Sequence, residues 1–205
     1  MPQVEPSPTQ ARLTTTDPVE RFFGYYPGVV SVVTAQHASE RNVMAAGWHA
    51  ALSVAPPLYG VAVAPERYTY DLIVSSGAFA VHFLPFEHAR AIAASGTLSR
   101  RTGVDKFQEL GLEWAPGEAT GAPILQAAYV AYECRVTNRV PVGDHDWFVG
   151  EVLAVHHDPR AFDERMLQRA DVSPGAVYYG RSTYERLGDG PRVAFDPREI
   201  RGENG

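Results

Sequence analysis

Short β-branched and aromatic runs recur along this chain, and only brief helical patterns separate them. Val29 to Ala35 reads VVSVVTA, Leu58 to Ala64 reads LYGVAVA, and Ala78 to Leu84 reads AFAVHFL. Later come AYVAYECRVT, from Ala128 to Thr137, and WFVGEVLAVH, from Trp147 to His156. Such runs are strand signals, because branched and aromatic side chains fit a pleated, half-buried surface. A doubly wound parallel sheet needs a helix after nearly every strand. That alternation is absent, so the pattern predicts a mainly β fold, an antiparallel barrel with short inserted helices.

The chain has 205 residues, enough for one domain with a sizeable core. Residues 1–16, rich in Pro, Ser, Thr and Gln, read as a flexible arm, 17–187 as the folded domain, and 188–205 as a polar tail. Asp17-Pro18 has the form of a helix start. Further short helices are expected from Thr69 to a stop at Gly77, within Phe86–Arg101, from Val104 to a stop at Gly111, and over Phe162–Arg169. Trp114–Pro123 reads as a loop and Val140–Asp146 as the turn of a hairpin.

The formal charge of −6 gives no footing on nucleic acid or an anionic membrane, so neither is expected as a partner. No apolar run approaches the length of a bilayer span, and the N-terminus lacks a secretory pattern. A single cysteine, Cys134, excludes an internal disulfide. The expectation is a cytoplasmic protein.

One stretch, Asn42 to Leu58 (NVMAAGWHAALSVAPPL), sets small residues, an aromatic, a histidine and a serine between two strand-like runs. Small residues let a flat ligand approach the backbone, whose unpaired N–H and C=O groups then hydrogen-bond it. The segment reads as a cradle for a flat cofactor. Arg67-Tyr68-Thr69 follows a strand and opens a helix. Free N–H groups, a positive dipole end and a forked guanidinium together suit a phosphate. Taken alone, Thr69 reads as an N-cap, Lys106 as a surface lysine, Ser53 as a turn serine and His145 as a hairpin histidine. His156-His157-Asp158 is no metal site, since successive strand residues point to opposite faces. There is no G-x-G-x-x-G, Walker loop, C-x-x-C or H-E-x-x-H.

The order GVVSVVTA, NVMAAGWHAALSVAPPL, APERYTYDLI, VDKF, YECRV and GDHDWFVGEV resembles the flavin reductase-like family, from about Phe22 to about Tyr184. The resemblance implies an FMN-binding split barrel and a homodimer with flavin near the interface. FMN is the implied cofactor, with FAD possible, and NAD(P)H the implied electron donor. By resemblance, Ala45, Ala46, Gly47, Trp48 and His49 line the flavin ring, while Ser53, Arg67, Tyr68 and Thr69 hold its phosphate end. Lys106, in the family's D-K-F pattern, adds a positive charge, and His145 guides the nicotinamide as the one catalytic candidate. Family members often carry Thr-Ala-Ser where this chain has Ala45-Ala46-Gly47, so only backbone contacts carry over there. Without a dinucleotide fingerprint, NAD(P)H is expected to bind as a substrate over the flavin.

Overall fold

The computed structural model describes residues 27–188. The predicted arm, the Asp17 helix start and all of the tail beyond Gly188 lie outside the described residues. The strands are β1 (Gly28–Val29), β2 (Ser31–His37), β3 (Glu40–Ala46), β4 (His49–Val54), β5 (Pro57–Val63) and β6 (Ala78–Phe83). They continue with β7 (Trp114–Pro116), β8 (Pro123–Leu125), β9 (Val130–Val142), β10 (His145–His157), β11 (Ala176–Gly180) and β12 (Thr183–Arg186). The α-helices are α1 (Tyr68–Ser76), α2 (Ala89–Thr97) and α3 (Lys106–Glu109).

Seven strands form one antiparallel sheet in the order β3-β2-β6-β9-β10-β5-β4. β3 and β4 stand at opposite edges, yet only Gly47 and Trp48 separate them in sequence. The sheet must therefore curl until its edges meet, which makes an incompletely closed, or split, barrel. At that join, the Ala62 N–H of β5 donates to the Trp48 carbonyl at 2.9 Å, which extends the β4–β5 ladder by one residue.

The barrel interior is filled by Val33, Val61, Val63, Phe79, Cys134 and Phe148, with Leu72 and Ile73 of α1 plugging it. A second cluster packs Val32 and Val43 against Ile92 of α2 and Phe107 of α3. Gly150 marks a tight point of the interior. A Cβ there would lie 2.7 Å from Cys134 Cβ and 2.8 Å from the Phe79 ring. Gly150→Ala is therefore expected to destabilise by about 1–3 kcal/mol, read as a lower urea midpoint at unchanged slope.

α1 ends at Gly77 as expected, in the left-handed conformation (φ 69°), with its N–H donating to the Ile73 carbonyl at 2.9 Å. Three expectations need correction. The Trp114–Pro123 segment begins with β7 and ends on β8, which pair with each other. β9 runs on to Val142, and its turn shrinks to Gly143-Asp144. Beyond Arg135 this strand no longer pairs with β6, so Pro141 sits where one side of the ladder is open. Phe162–Arg169 is not helical, because the Asp163 carboxylate accepts from the Arg165 and Leu167 N–H groups and Met166 turns left-handed. Among the described residues, no helix is long and apolar enough to cross a membrane.

Candidate functional site

Among the described residues, β3 pairs with β2 on one side only, so its other side is a free sheet edge. In an antiparallel ladder the backbone groups of alternate residues point to alternate sides. The Ala46 carbonyl faces β2, where the Ser31 hydroxyl reaches it at 3.1 Å. The Val43 carbonyl faces the free side, where the Lys106 ammonium donates to it at 3.1 Å. By that alternation the N–H and C=O of Ala45 also point to the free edge. Along this edge runs a cavity of about 360 Å³. β3, the Gly47-Trp48 join, the start of α1, the end of α2 and the first residue of β10, His145, enclose it.

Nine of the eleven residues singled out from the sequence line this cavity: Ala45, Ala46, Gly47, Trp48, Arg67, Tyr68, Thr69, Lys106 and His145. Gly47 is open, since a Cβ built on it meets nothing within 4 Å. His49 and Ser53 are not brought there. His49 follows Trp48 on a strand, so it points to the other side. Its ring bonds the Tyr59 hydroxyl at 2.7 Å and the Val29 carbonyl at 2.9 Å, which pins β1 to the barrel. Burial holds its pKa below the usual histidine value, and the Val29 bond only partly offsets that. Ser53 pairs with Leu58 in the β4–β5 hairpin, beyond a register shift.

Two further roles differ from expectation. The N-cap of α1 is Arg67, not Thr69. Thr69 is fully buried, and its hydroxyl accepts from Asn42 Nδ2 at 2.9 Å. Lys106 is buried rather than on the surface, and its ammonium donates to the carbonyls of Val43 and Ser95, at 3.1 and 2.7 Å. These bonds tie α2 to β3. Burial, with the charge of Arg67 adding to it, pushes the Lys106 pKa down to about 8.

Asn42 opened the cradle segment without a role of its own, and Arg100 and the stretch Ser95–Ser99 were missed, though all of them line the cavity. A signal was available in Ser95-Gly96-Thr97-Leu98-Ser99, where small and hydroxylated residues follow an apolar helix stripe. Gly96 sits at a close approach, where a Cβ would lie 3.3 Å from Ala45 Cβ.

At the other end of the cavity, the rings of Trp48 and His145 lie 4.8 Å apart, tilted by 58°. His145 Nδ1 bonds Asp144 Oδ1 at 2.7 Å, and that bond holds the Asp144 carboxyl below its ordinary pKa.

The lining suits a flat, anionic, partly polar ligand. Among the described residues, Asn42 Oδ1 is buried without a hydrogen-bond partner. Ala45 offers unpaired edge groups. Among the described residues, Lys106 donates to carbonyls only, and the one ion pair of Arg67, with Glu66, is long at 3.9 Å. Two cations near the start of α1 thus lack a close counter-ion.

The family model described as "flavin reductase like domain" matches residues 23–188. The chain belongs to the flavin reductase-like family. A protein of Aeropyrum pernix named only as uncharacterized is 41% identical over 131 residues, which cover 64% of this chain and half of that one. A Streptomyces globisporus protein named NADH-dependent FAD reductase is 32% identical over 141 residues, covering 69% of this chain and 76% of that protein. The FMN-binding protein of Thermus thermophilus, solved with 1-cyclohex-2-enone bound, superposes with a TM-score of 0.79 at 34% identity. That match covers 90% of this chain and all of the Thermus chain. The curl of the seven-stranded sheet is thus the split barrel of flavin reductase-like proteins.

Proposed function

We propose that this flavin reductase-like protein is an oxidoreductase that binds FMN along the free edge of β3 and passes electrons from NAD(P)H to a second acceptor. The observation that carries this reading is the pairing of unsatisfied groups in one cavity: edge backbone at Ala45, an orphaned Asn42 oxygen, and the poorly compensated Arg67 and Lys106. When bound, a flavin supplies the hydride and electron chemistry, which no side chain of the site can perform.

The chain's own residues bind, orient and exclude water. The N–H and C=O of Ala45 meet the polar edge of the ring, and open Gly47 leaves room for its face. Asn42, oriented by Thr69, offers its Oδ1 to a hydroxyl or N–H of the ligand. Arg67, Lys106 and the N-terminus of α1 hold the phosphate. Trp48 and His145 form the mouth at which the nicotinamide docks. With His145 Nδ1 committed to Asp144, Nε2 is the ring nitrogen left to orient the donor. The second acceptor is free flavin, a metal chelate or a partner protein.

A homodimer belongs to the same reading. Exposed apolar side chains on neighbouring strands support it: Leu52 and Val54 on β4, Leu153 and Val155 on β10, Val140 and Val142 on β9. A cytoplasmic setting suits the single buried thiol of Cys134.

The test is a visible spectrum of the purified protein before and after NADH or NADPH is added without oxygen. A bound yellow flavin that bleaches promptly supports the reductase and identifies the donor. His145→Ala is expected to slow that bleaching by about 10²-fold, the range of a lost positioning contact, at unchanged flavin affinity. A second reading, an FMN-binding electron carrier without its own NAD(P)H turnover, has support in the Thermus relative, whose name claims flavin binding alone. It gains if the bound flavin ignores both nucleotides.

A further inference from the structure

We propose that Glu40, Arg100 and Tyr68 form a wall at the phosphate end of the cavity that selects a flavin mononucleotide over a flavin dinucleotide, an inference that rests on the flavin reading above.

Three elements meet at one carboxylate oxygen. Glu40 opens β3, and the period of two sets it on the same strand face as the cavity-lining Asn42. Its Oε2 accepts from the Tyr68 hydroxyl at 3.0 Å and from Arg100 Nη2 at 3.1 Å. Tyr68 is the first residue of α1, and Arg100 begins the single 3₁₀ turn (Arg100–Thr102) that follows α2. Both line the cavity beside Arg67. Arg101 ties the same turn to α1 a second time. It donates to Asp71 Oδ2 at 2.6 Å and to the Glu66 carbonyl at 2.9 Å, and its guanidinium lies 5.7 Å from the centre of the Tyr68 ring. The segment after α2 is thereby strapped across the entry to α1.

This arrangement treats the two flavin nucleotides differently. A mononucleotide ends at one phosphate, which Arg67, Lys106 and the α1 N-terminus satisfy. A dinucleotide continues through a second phosphate into a nucleoside, and it must leave the cavity past this wall. Among the described residues, the wall offers that second phosphate no free cation. Arg100 is matched to Glu40 and Arg101 to Asp71. The carboxylate of Glu40 stays ionised, since the hydrogen bonds from Tyr68 and Arg100 hold its pKa below the usual value. The paired charges of the wall balance, so a second phosphate gains no net attraction beside the Glu40 carboxylate, and the selection acts against the unwanted ligand instead of for the wanted one. Glu40 is exposed, and a surface ion pair contributes little to stability, so its substitution opens the wall without unfolding the barrel.

The test titrates the full chain, stripped of co-purified flavin, with FMN and separately with FAD, and follows flavin fluorescence. The wild type is expected to favour FMN by about tenfold or more, which is about 1.4 kcal/mol of difference. Glu40→Ala is expected to cut that preference at least about fivefold, through tighter FAD binding, because it removes the repulsive element while FMN contacts stay. Glu40→Gln, which keeps the shape and loses the charge, should fall between the two. An equal affinity of the wild type for both flavins overturns the proposal. So does a Glu40→Ala ratio unchanged from wild type, and in either case FMN binding leaves the reading of the cavity standing. A chain that binds neither flavin overturns both.

Discussion

Replacing Glu133 with alanine is expected to lower the unfolding free energy by about 3–5 kcal/mol, the range for removing one partner of a buried charged network. Glu133 lies on β9 with no exposed surface. Its two carboxylate oxygens accept from the N–H groups of Glu118, Ala119 and Thr120, from the Thr120 hydroxyl, and from His156 Nε2 at 2.7 Å. One side chain thus organises the whole β7–β8 turn. A Cβ on Gly117 would run into the same carboxylate, which is why the turn carries a glycine there. Burial alone would raise the Glu133 pKa, but the bonds from His156, Thr120 and Ala119 outweigh it and hold the pKa low.

The sign of the pH dependence follows. A depressed carboxylate pKa contributes stability that is present above the unfolded value, about 4.3, and is lost as pH falls through the folded one. His82 acts earlier in the same direction. Its ring is fully buried, its Nδ1 bonds the Val32 carbonyl at 3.0 Å, and burial outweighs that bond and pushes its pKa down to about 4. Its imidazole is neutral in the fold and takes up a proton on unfolding below about pH 6.5, so it erodes stability from there down to about pH 4. Urea midpoints from pH 7 to pH 3 should therefore decline in two stages. Glu133→Gln should be less stable at neutral pH and should show a smaller decline in the more acidic stage. A midpoint for Glu133→Ala within error of wild type would remove this network from the account of stability.

Gly47→Val is expected to do the reverse, leaving the fold intact and emptying the site. Gly47 is exposed, its φ is not positive, and a Cβ on it meets nothing within 4 Å. Stability should thus stay within about 0.5 kcal/mol of wild type. The added side chain would stand on the join between β3 and β4, at the cavity that Ala46 and Trp48 also line. Forcing bulk into a fitted site costs about 1–3 kcal/mol, so flavin affinity should fall by roughly ten- to a hundredfold or more. Flavin fluorescence titration reads the affinity and thermal melting reads the fold. Unchanged affinity in a folded variant would place the ring elsewhere than along this edge.

Much of the architecture was legible in period-two runs and in the punctuation between them. The strands over Ala78–Phe83 and His145–His157 lie where β-branched and aromatic residues alternate, and Gly77 ends α1 where a left-handed residue was expected. The misses have physical causes. Phe162–Arg169 looked helical, but Asp163 diverts its neighbours' N–H groups into a local turn. Trp114 and Pro123 look like loop residues because each strand they belong to is only three residues long. At the candidate site, backbone features were readable and side-chain partners were not. The open Gly47 could be inferred from residue size. That Asn42 would orient against Thr69, or that Lys106 would be buried between two carbonyls, depends on contacts 27 and 63 positions apart in the chain.

The two-residue join between β3 and β4 also bears on how the protein gains its binding capacity. The two strands are sequence neighbours, but each pairs with a different flank of the sheet, and only the rolled sheet brings the flanks together. Contacts of high sequence separation form late and cooperatively. The site therefore cannot exist in a partly folded chain, and a ligand seated along β3 reports on the seam where the barrel closes. Such a ligand acts as a clasp on that seam. At a hundred times its dissociation constant it adds about 2.7 kcal/mol to global stability, so cofactor supply and the lifetime of the folded protein become one linked quantity.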